Sequence, residues 1–116
     1  MNIEEFIVGY LSGALDVPVS GDVPNVGTIQ RFVTVEKTGS RLNNHIYSPT
    51  LAIQSWAESR AEAAKLNEQV KAAMAAALEL PEISRCALNS DYNFPDLVRK
   101  RHRYQSVYDL VYYERS

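Results

Sequence analysis

The sequence predicts an α+β domain: a mainly antiparallel sheet of about four strands, with two helices packed on one of its faces. Three observations predict it. In Thr50–Leu80 the apolar spacing changes at Ala57 from a period of two, with Leu51 and Ile53 on one face and Ala52, Gln54 and Trp56 on the other, to a helical period. The helix that follows is thin and needs a sheet to lie on, because eight alanines fall between Ala61 and Ala77. The elements run helix, two strands, long helix, two strands, and short links between strands favour antiparallel neighbours with both helices on one side.

The first helix is predicted over Ile3–Leu15. Asn2 is its N-cap, with Glu5 three residues on, and Ile3, Phe6, Ile7, Tyr10, Leu11 and Ala14 repeat at helical spacing. Pro18 stops it, since the residue before a proline is pushed away from helical geometry. Val17 to Val19 reads as a short extended piece, and Ser20 to Gly27 as an exposed connection rich in glycine, proline and turn-forming polar residues.

Thr28–Lys37 has the β-branched and aromatic content of a strand, with Ile29, Val33 and Val35 on one face and Phe32 on the other. Thr38-Gly39-Ser40 ends it. The polar stretch Arg41 to Pro49 then makes a long loop back to the strand at Thr50, and loops of that length in compact domains are more often functional than not. For the long helix, Ser55 with Glu58 and Ser59 with Glu62 both have capping-box spacing, so it starts after either serine. Its stripe is Ala63, Leu66, Val70, Ala73, Met74, Ala77 and Leu78, and Glu62 with Lys65 and Glu68 with Lys71 pair on the wet side. Pro81 stops it.

Ile83–Asn89 is a third strand and Asp91–Asp96 a turn or bulged edge. After the basic run Arg99-Lys100-Arg101-His102-Arg103, a last strand covers Tyr104–Tyr113. It places Tyr104, Tyr108, Leu110 and Tyr112 on one face and Val107, Val111 and Tyr113 on the other, so both faces meet something.

The chain of 116 residues is read as one domain, large enough to bury a core without metals or disulfides. A net charge of −2 argues against a dedicated nucleic-acid or membrane binder, and a single cysteine, Cys86, cannot form an internal disulfide. The acidic start MNIEEF is unlike a signal peptide, and no apolar run reaches membrane-spanning length, so a cytoplasmic protein, or one assembled there into something larger, is expected.

No constellation predicts catalysis. His45 and His102 are the only histidines and stand far apart without further ligands, so neither a metal nor a cofactor site is expected. Cys86 sits in an apolar strand, where a thiol behaves as a small hydrophobe. The basic run beside Tyr104, with Tyr92 and Phe94 upstream, matches the charge-plus-stacking pattern of single-strand binders, but Asp91 and Asp96 flank it and strand alternation sends its charges to two faces. A solvated edge or a contact with a neighbouring subunit explains it better. Seven tyrosines, five of them from Tyr92 onward, suit either a core-facing aromatic strand or a protein interface.

Taken together, VPVSGDVP (Val17–Pro24), RFVTVEKTGS (Arg31–Ser40) and SPTLAIQSWAESRAEAAKLNEQV (Ser48–Val70) resemble the small tail-terminator proteins of long-tailed bacteriophages and prophages, also described as head-tail joining or tail-completion proteins. The resemblance spans about Val17 to Leu80. Its most specific parts are Phe32–Glu36 with Thr38-Gly39 and the segment Ala52–Ala57 with Trp56. Ser40 departs from the pattern, where such sequences often carry a second glycine.

The resemblance implies a structural, non-enzymatic subunit of the virion neck. It would form a homohexameric ring on the tail tube, stop the tube's polymerisation, and present a surface to the head connector or stopper. It implies no catalytic residue, cofactor or specific nucleic-acid partner, although DNA would pass through such a ring. The residues expected at subunit or partner interfaces are Arg41, Asn43, Asn44, His45 and Tyr47 in the long loop, and Arg99, Arg101, Arg103, Tyr104, Tyr108 and Tyr112 in the last strand and its approach. Three other readings stay open: another neck component (connector, stopper or tube protein), a nucleic-acid-binding accessory domain using Arg99–Arg103, and a small enzyme.

Overall fold

The computed structural model describes residues 2–24, 30–43 and 46–113. They form two α-helices and a mixed sheet in the order α1 (Ile3–Ala14), β1 (Val19–Ser20), β2 (Phe32–Gly39), β3 (Leu42–Asn43), β4 (Ile46–Tyr47), β5 (Thr50–Ala57), α2 (Arg60–Ala76), β6 (Ile83–Asn93) and β7 (His102–Tyr113). The α+β class holds. The expectation of about four antiparallel strands falls short, because the described residues contain seven strands and β1 runs parallel to β2. The extra strands are two-residue pieces, too short to leave a period in the sequence.

β7 is the organising strand. On one side it pairs with β5 from Thr50↔Asp109 to Ala57↔His102, and beyond the end of β5 with β4. Its other side carries β6, with register shifts at Ser84 and Asn89. β2 pairs with the far side of β5. Of the two readings of Asp91–Asp96, a turn or a bulged edge, the strand edge is the nearer: β6 runs on to Asn93, and Asp96 bridges Arg101. The long loop folds as the small hairpin β3–β4. Asn44 and His45, two of the residues expected at an interface, and Thr28 and Ile29, where the first predicted strand begins, lie outside the described residues.

Both helices cover the face carrying Val33, Val35, Leu51 and Ile53, and with Tyr108, Leu110, Tyr112 and Ile83 these make one core. In α1, Ile3, Ile7 and Leu11 recur at the spacing that keeps one side inward, and Asn2 Oδ1 accepts from Glu5 N at 3.2 Å as the N-cap. Tyr10 OH donates to the Ala73 carbonyl at 2.6 Å, tying α1 to α2.

Of the two serines with capping-box spacing, Ser59 is the cap, accepting from Glu62 N at 3.1 Å, because the strand takes Ser55. Ala63, Leu66, Val70, Met74 and Ala77 are buried as the stripe predicts. Leu78 is not: it falls in a 3-10 turn, Ala77–Glu79, whose tighter winding rotates it into solvent. The Glu68–Lys71 pair forms at 2.9 Å, while Glu62 reaches Arg31 at 3.3 Å. Arg31 also donates to both carboxylate oxygens of Glu58, which holds that exposed carboxyl down to about 2 and fastens the approach to β2 to the start of α2.

Candidate functional site

The side of the sheet away from the helices carries two adjacent rows of side chains, each set by strand register. Thr34 pairs with Gln54, Gln54 with Gln105 and Gln105 with Tyr92, so one line crosses β2, β5, β7 and β6. The side chains bond along that line. Trp56 Nε1 donates to Thr34 Oγ1 at 3.1 Å, and Thr34 Oγ1 to Gln54 Oε1 at 2.6 Å. Gln54 Nε2 donates to Gln105 Oε1 at 2.7 Å, and Gln105 Nε2 to the Tyr92 hydroxyl. Each buried amide thus has a donor or acceptor of the right sense, which burial of polar groups demands.

The second row is aromatic and cationic. Phe32 and Trp56 stack with centroids 5.3 Å apart. The Arg103 guanidinium lies 4.7 Å from the Trp56 centroid and 4.4 Å from that of Phe94, and its Nε donates to the Phe94 carbonyl at 2.7 Å. Arg101 lies 5.1 Å over Phe32 and donates to the Gln30 carbonyl at 3.3 Å. Beside these rows opens a cavity of about 400 Å³, lined by Asp22, Glu36, Gln54, Trp56, Arg99 and Arg103 among others.

The basic run is therefore built into the fold. Arg101 and Arg103 sit on aromatic rings. Arg99 Nη1 donates to Asp96 Oδ2 at 2.7 Å, and Arg99 N donates to Asp96 Oδ1 at 3.0 Å. The Arg99 amide and guanidinium keep the Asp96 carboxyl below its ordinary range. Three arginines with structural partners make a poor phosphate track, which weighs against the nucleic-acid reading.

The other predicted site residues divide. Tyr108 and Tyr112 are buried in the helix-side core, at 2% and 4% exposure, which removes them from the surface of the subunit. Tyr112 stacks on Tyr47 at 5.2 Å between centroids, so the last strand holds the β3–β4 hairpin in place. Tyr104 is half-buried on the same side. Arg41 and Asn43 are exposed, and Arg41 exchanges backbone bonds with Ser48 at the hairpin's base. A cavity of about 480 Å³ opens there, bounded by Gly39, Arg41, Pro49, Arg85 and Asp109 among others.

Burial pushes the Cys86 thiol up to about 11, so it stays protonated at neutral pH. Among the described residues, no group of three His, Cys, Asp or Glu side chains is placed to hold a metal ion, and no helix is long and apolar enough to cross a membrane.

Sequence reasoning missed the glutamine row. Its signal was present: Gln54 shares a strand face with Trp56, and a polar side chain between two apolar ones on one face needs partners across the strands. Missed too was the tip of the β6–β7 hairpin, where Leu97 and Val98 stand 81% and 92% exposed. No family model matches the chain, and no curated protein sequence matches it either.

Proposed function

We propose that the protein is a structural subunit of a phage neck, a tail terminator that closes into a hexameric ring on the tail tube and joins it to the head connector. The observation that carries the reading is how the two most specific segments of the resemblance lie together. Phe32–Gly39 and Ala52–Ala57 are not merely near in sequence; they are the paired strands β2 and β5, with Phe32 opposite Trp56 and their rings stacked. α2 follows within three residues.

Light scattering of the purified protein, alone and with isolated tail tubes, tests the reading. The expected mass is about 78 kDa, six times the 13.0 kDa subunit, in solution or on the tube end. A subunit that stays at 13.0 kDa and does not bind tubes would overturn it.

A further inference from the structure

Four arginines are held by structural partners: Arg31 by Glu58, Arg99 by Asp96, and Arg101 and Arg103 by aromatic rings. Arg41 and Arg85 differ from them. Both are exposed, and neither guanidinium has a hydrogen-bond or ion-pair partner among the described residues. They are not scattered, because both bound the cavity of about 480 Å³ at the base of the β3–β4 hairpin.

Strand register puts them in one line. Arg41 exchanges backbone bonds with Ser48 at 3.2 and 2.8 Å, and Arg85 pairs with Val111. Tyr47 opposite Tyr112 and Thr50 opposite Asp109 set Ser48 beside Val111 between them. The row Arg41, Ser48, Val111, Arg85 therefore crosses the sheet on the side away from the helices, with a hydroxyl and an aliphatic side chain between two positive ends. Three strand spacings of about 4.8 Å separate the outer backbones. Asp109 stands in the adjoining row, where its Oδ1 accepts from Thr50 Oγ1 at 3.1 Å and its Oδ2 from Asn89 Nδ2 at 3.0 Å. That carboxylate is fixed by neutral donors and leaves both arginines unpaired. Two guanidinia against one carboxylate make the lining positive in a chain whose net charge is −2.

We infer that this row is a docking site for an extended acidic segment of a partner protein, which crosses the strands with one carboxylate on Arg41, one on Arg85 and a small residue over Val111. A guanidinium fork meets a carboxylate through two parallel bonds that are stronger than neutral ones. Acidic residues two apart on an extended chain point the same way about 7 Å apart, a spacing that fits between the two ends. Nucleic acid suits the row less. Phosphodiester affinity grows with the number of phosphates neutralised, only two cations are offered here, and Asp109 repels a densely charged backbone. The site lies within one subunit, so it goes beyond the ring reading and stands or falls apart from it.

An NMR titration at low salt with a blocked glutamate-alanine-glutamate peptide tests it, following the side-chain Nε–H signals of Arg41 and Arg85. Both signals are expected to move saturably with this peptide and not with its glutamine-alanine-glutamine analogue. Arg41→Gln and Arg85→Gln should each weaken binding about tenfold, the loss of one charge-assisted contact. Arg60→Gln removes the same charge from the exposed start of α2, where it too is unpaired among the described residues, and should change affinity by less than about twofold. Asp109→Asn, which removes the repelling charge, should tighten binding about twofold. Unfolding midpoints equal to the parent's show that these exposed substitutions leave the fold intact. The absence of any saturable shift overturns the site, as does a loss in Arg60→Gln as large as in the other two, which marks general attraction. Tighter binding of a thymidine trinucleotide, lost in Arg41→Gln and Arg85→Gln, overturns the acidic-segment assignment and gives the row to phosphate. Ring assembly is read separately, from mass, and none of these outcomes bears on it.

Discussion

The guanidinium of Arg103 lies over the ring of Trp56 at 4.7 Å and under that of Phe94 at 4.4 Å, so one cation joins the sheet to the hairpin that leaves it. Replacing Arg103 with Leu should cost about 1–2 kcal/mol in denaturant unfolding, between the values for an exposed and a desolvated cation–ring contact, since Arg103 is half-buried. Arg103→Lys should recover little, because an ammonium cannot lie flat between two rings while donating to the Phe94 carbonyl. The chain has one tryptophan, so the fluorescence of Trp56 reports the site directly and should change in both variants.

Gln54 is the centre of the buried row, accepting from Thr34 and donating to Gln105. Gln54→Leu keeps the volume but leaves the Gln105 carbonyl oxygen and the Thr34 hydroxyl each short of a partner. A loss of about 1–3 kcal/mol is expected from chemical denaturation. Stability equal to the parent would show that water replaces the amide without cost.

Tyr108 should behave in the opposite way. Its hydroxyl is buried without a well-formed hydrogen bond, although Ser106 stands near enough to oppose the shift, and burial pushes the phenol up to about 12. Tyr108→Phe should therefore be neutral or stabilising by up to about 1 kcal/mol at pH 7. The raised value means that the unfolded chain ionises first: the contribution is whole below pH 10.0 and is lost as pH rises toward about 12. Between pH 8 and 11 the parent should lose roughly 1 kcal/mol more than Tyr108→Phe, a difference that cancels the parallel effect of Cys86.

Lys100 holds a left-handed backbone at φ 55, the only positive φ among the described non-glycine residues. Lys100→Gly relieves a steric cost of about 1–2 kcal/mol, offset in part by the freer unfolded chain, so a net gain near 1 kcal/mol is expected in thermal or denaturant unfolding. The same change removes one positive charge from the tip.

The strand faces were legible because they are local. Val33 with Val35, Leu51 with Ile53, and the tyrosines of β7 all follow from alternation, and the start of α1 follows from Asn2 as its cap, while Ser55 and Ser59 offered α2 two starts of which the structure takes Ser59. What was not legible depends on register. Arg103 reads as a surface charge until the Trp56↔Arg103 and Ala57↔His102 pairings place it over a ring. Asp96 reads as a turn residue until its carboxylate collects the amides of Val98 and Arg99. Neither the parallel pairing of Val19 with Val33 nor the β3–β4 hairpin has enough residues to announce itself.

Because β7 sits between β5 and β6, the middle of the sheet is supplied by a stretch that leaves the ribosome long after its neighbour. Thr50 waits for Asp109, 59 positions downstream, before its hydroxyl finds a partner. At about 5–20 residues per second that is a delay of several seconds in which β5, with Leu51, Ile53 and Trp56, has no strand on that flank. A nascent chain paused before His102 should thus display an unpaired, apolar strand edge, open to chaperones and to other nascent copies, and pass to protease resistance only when the arginine-bearing turn and β7 have emerged.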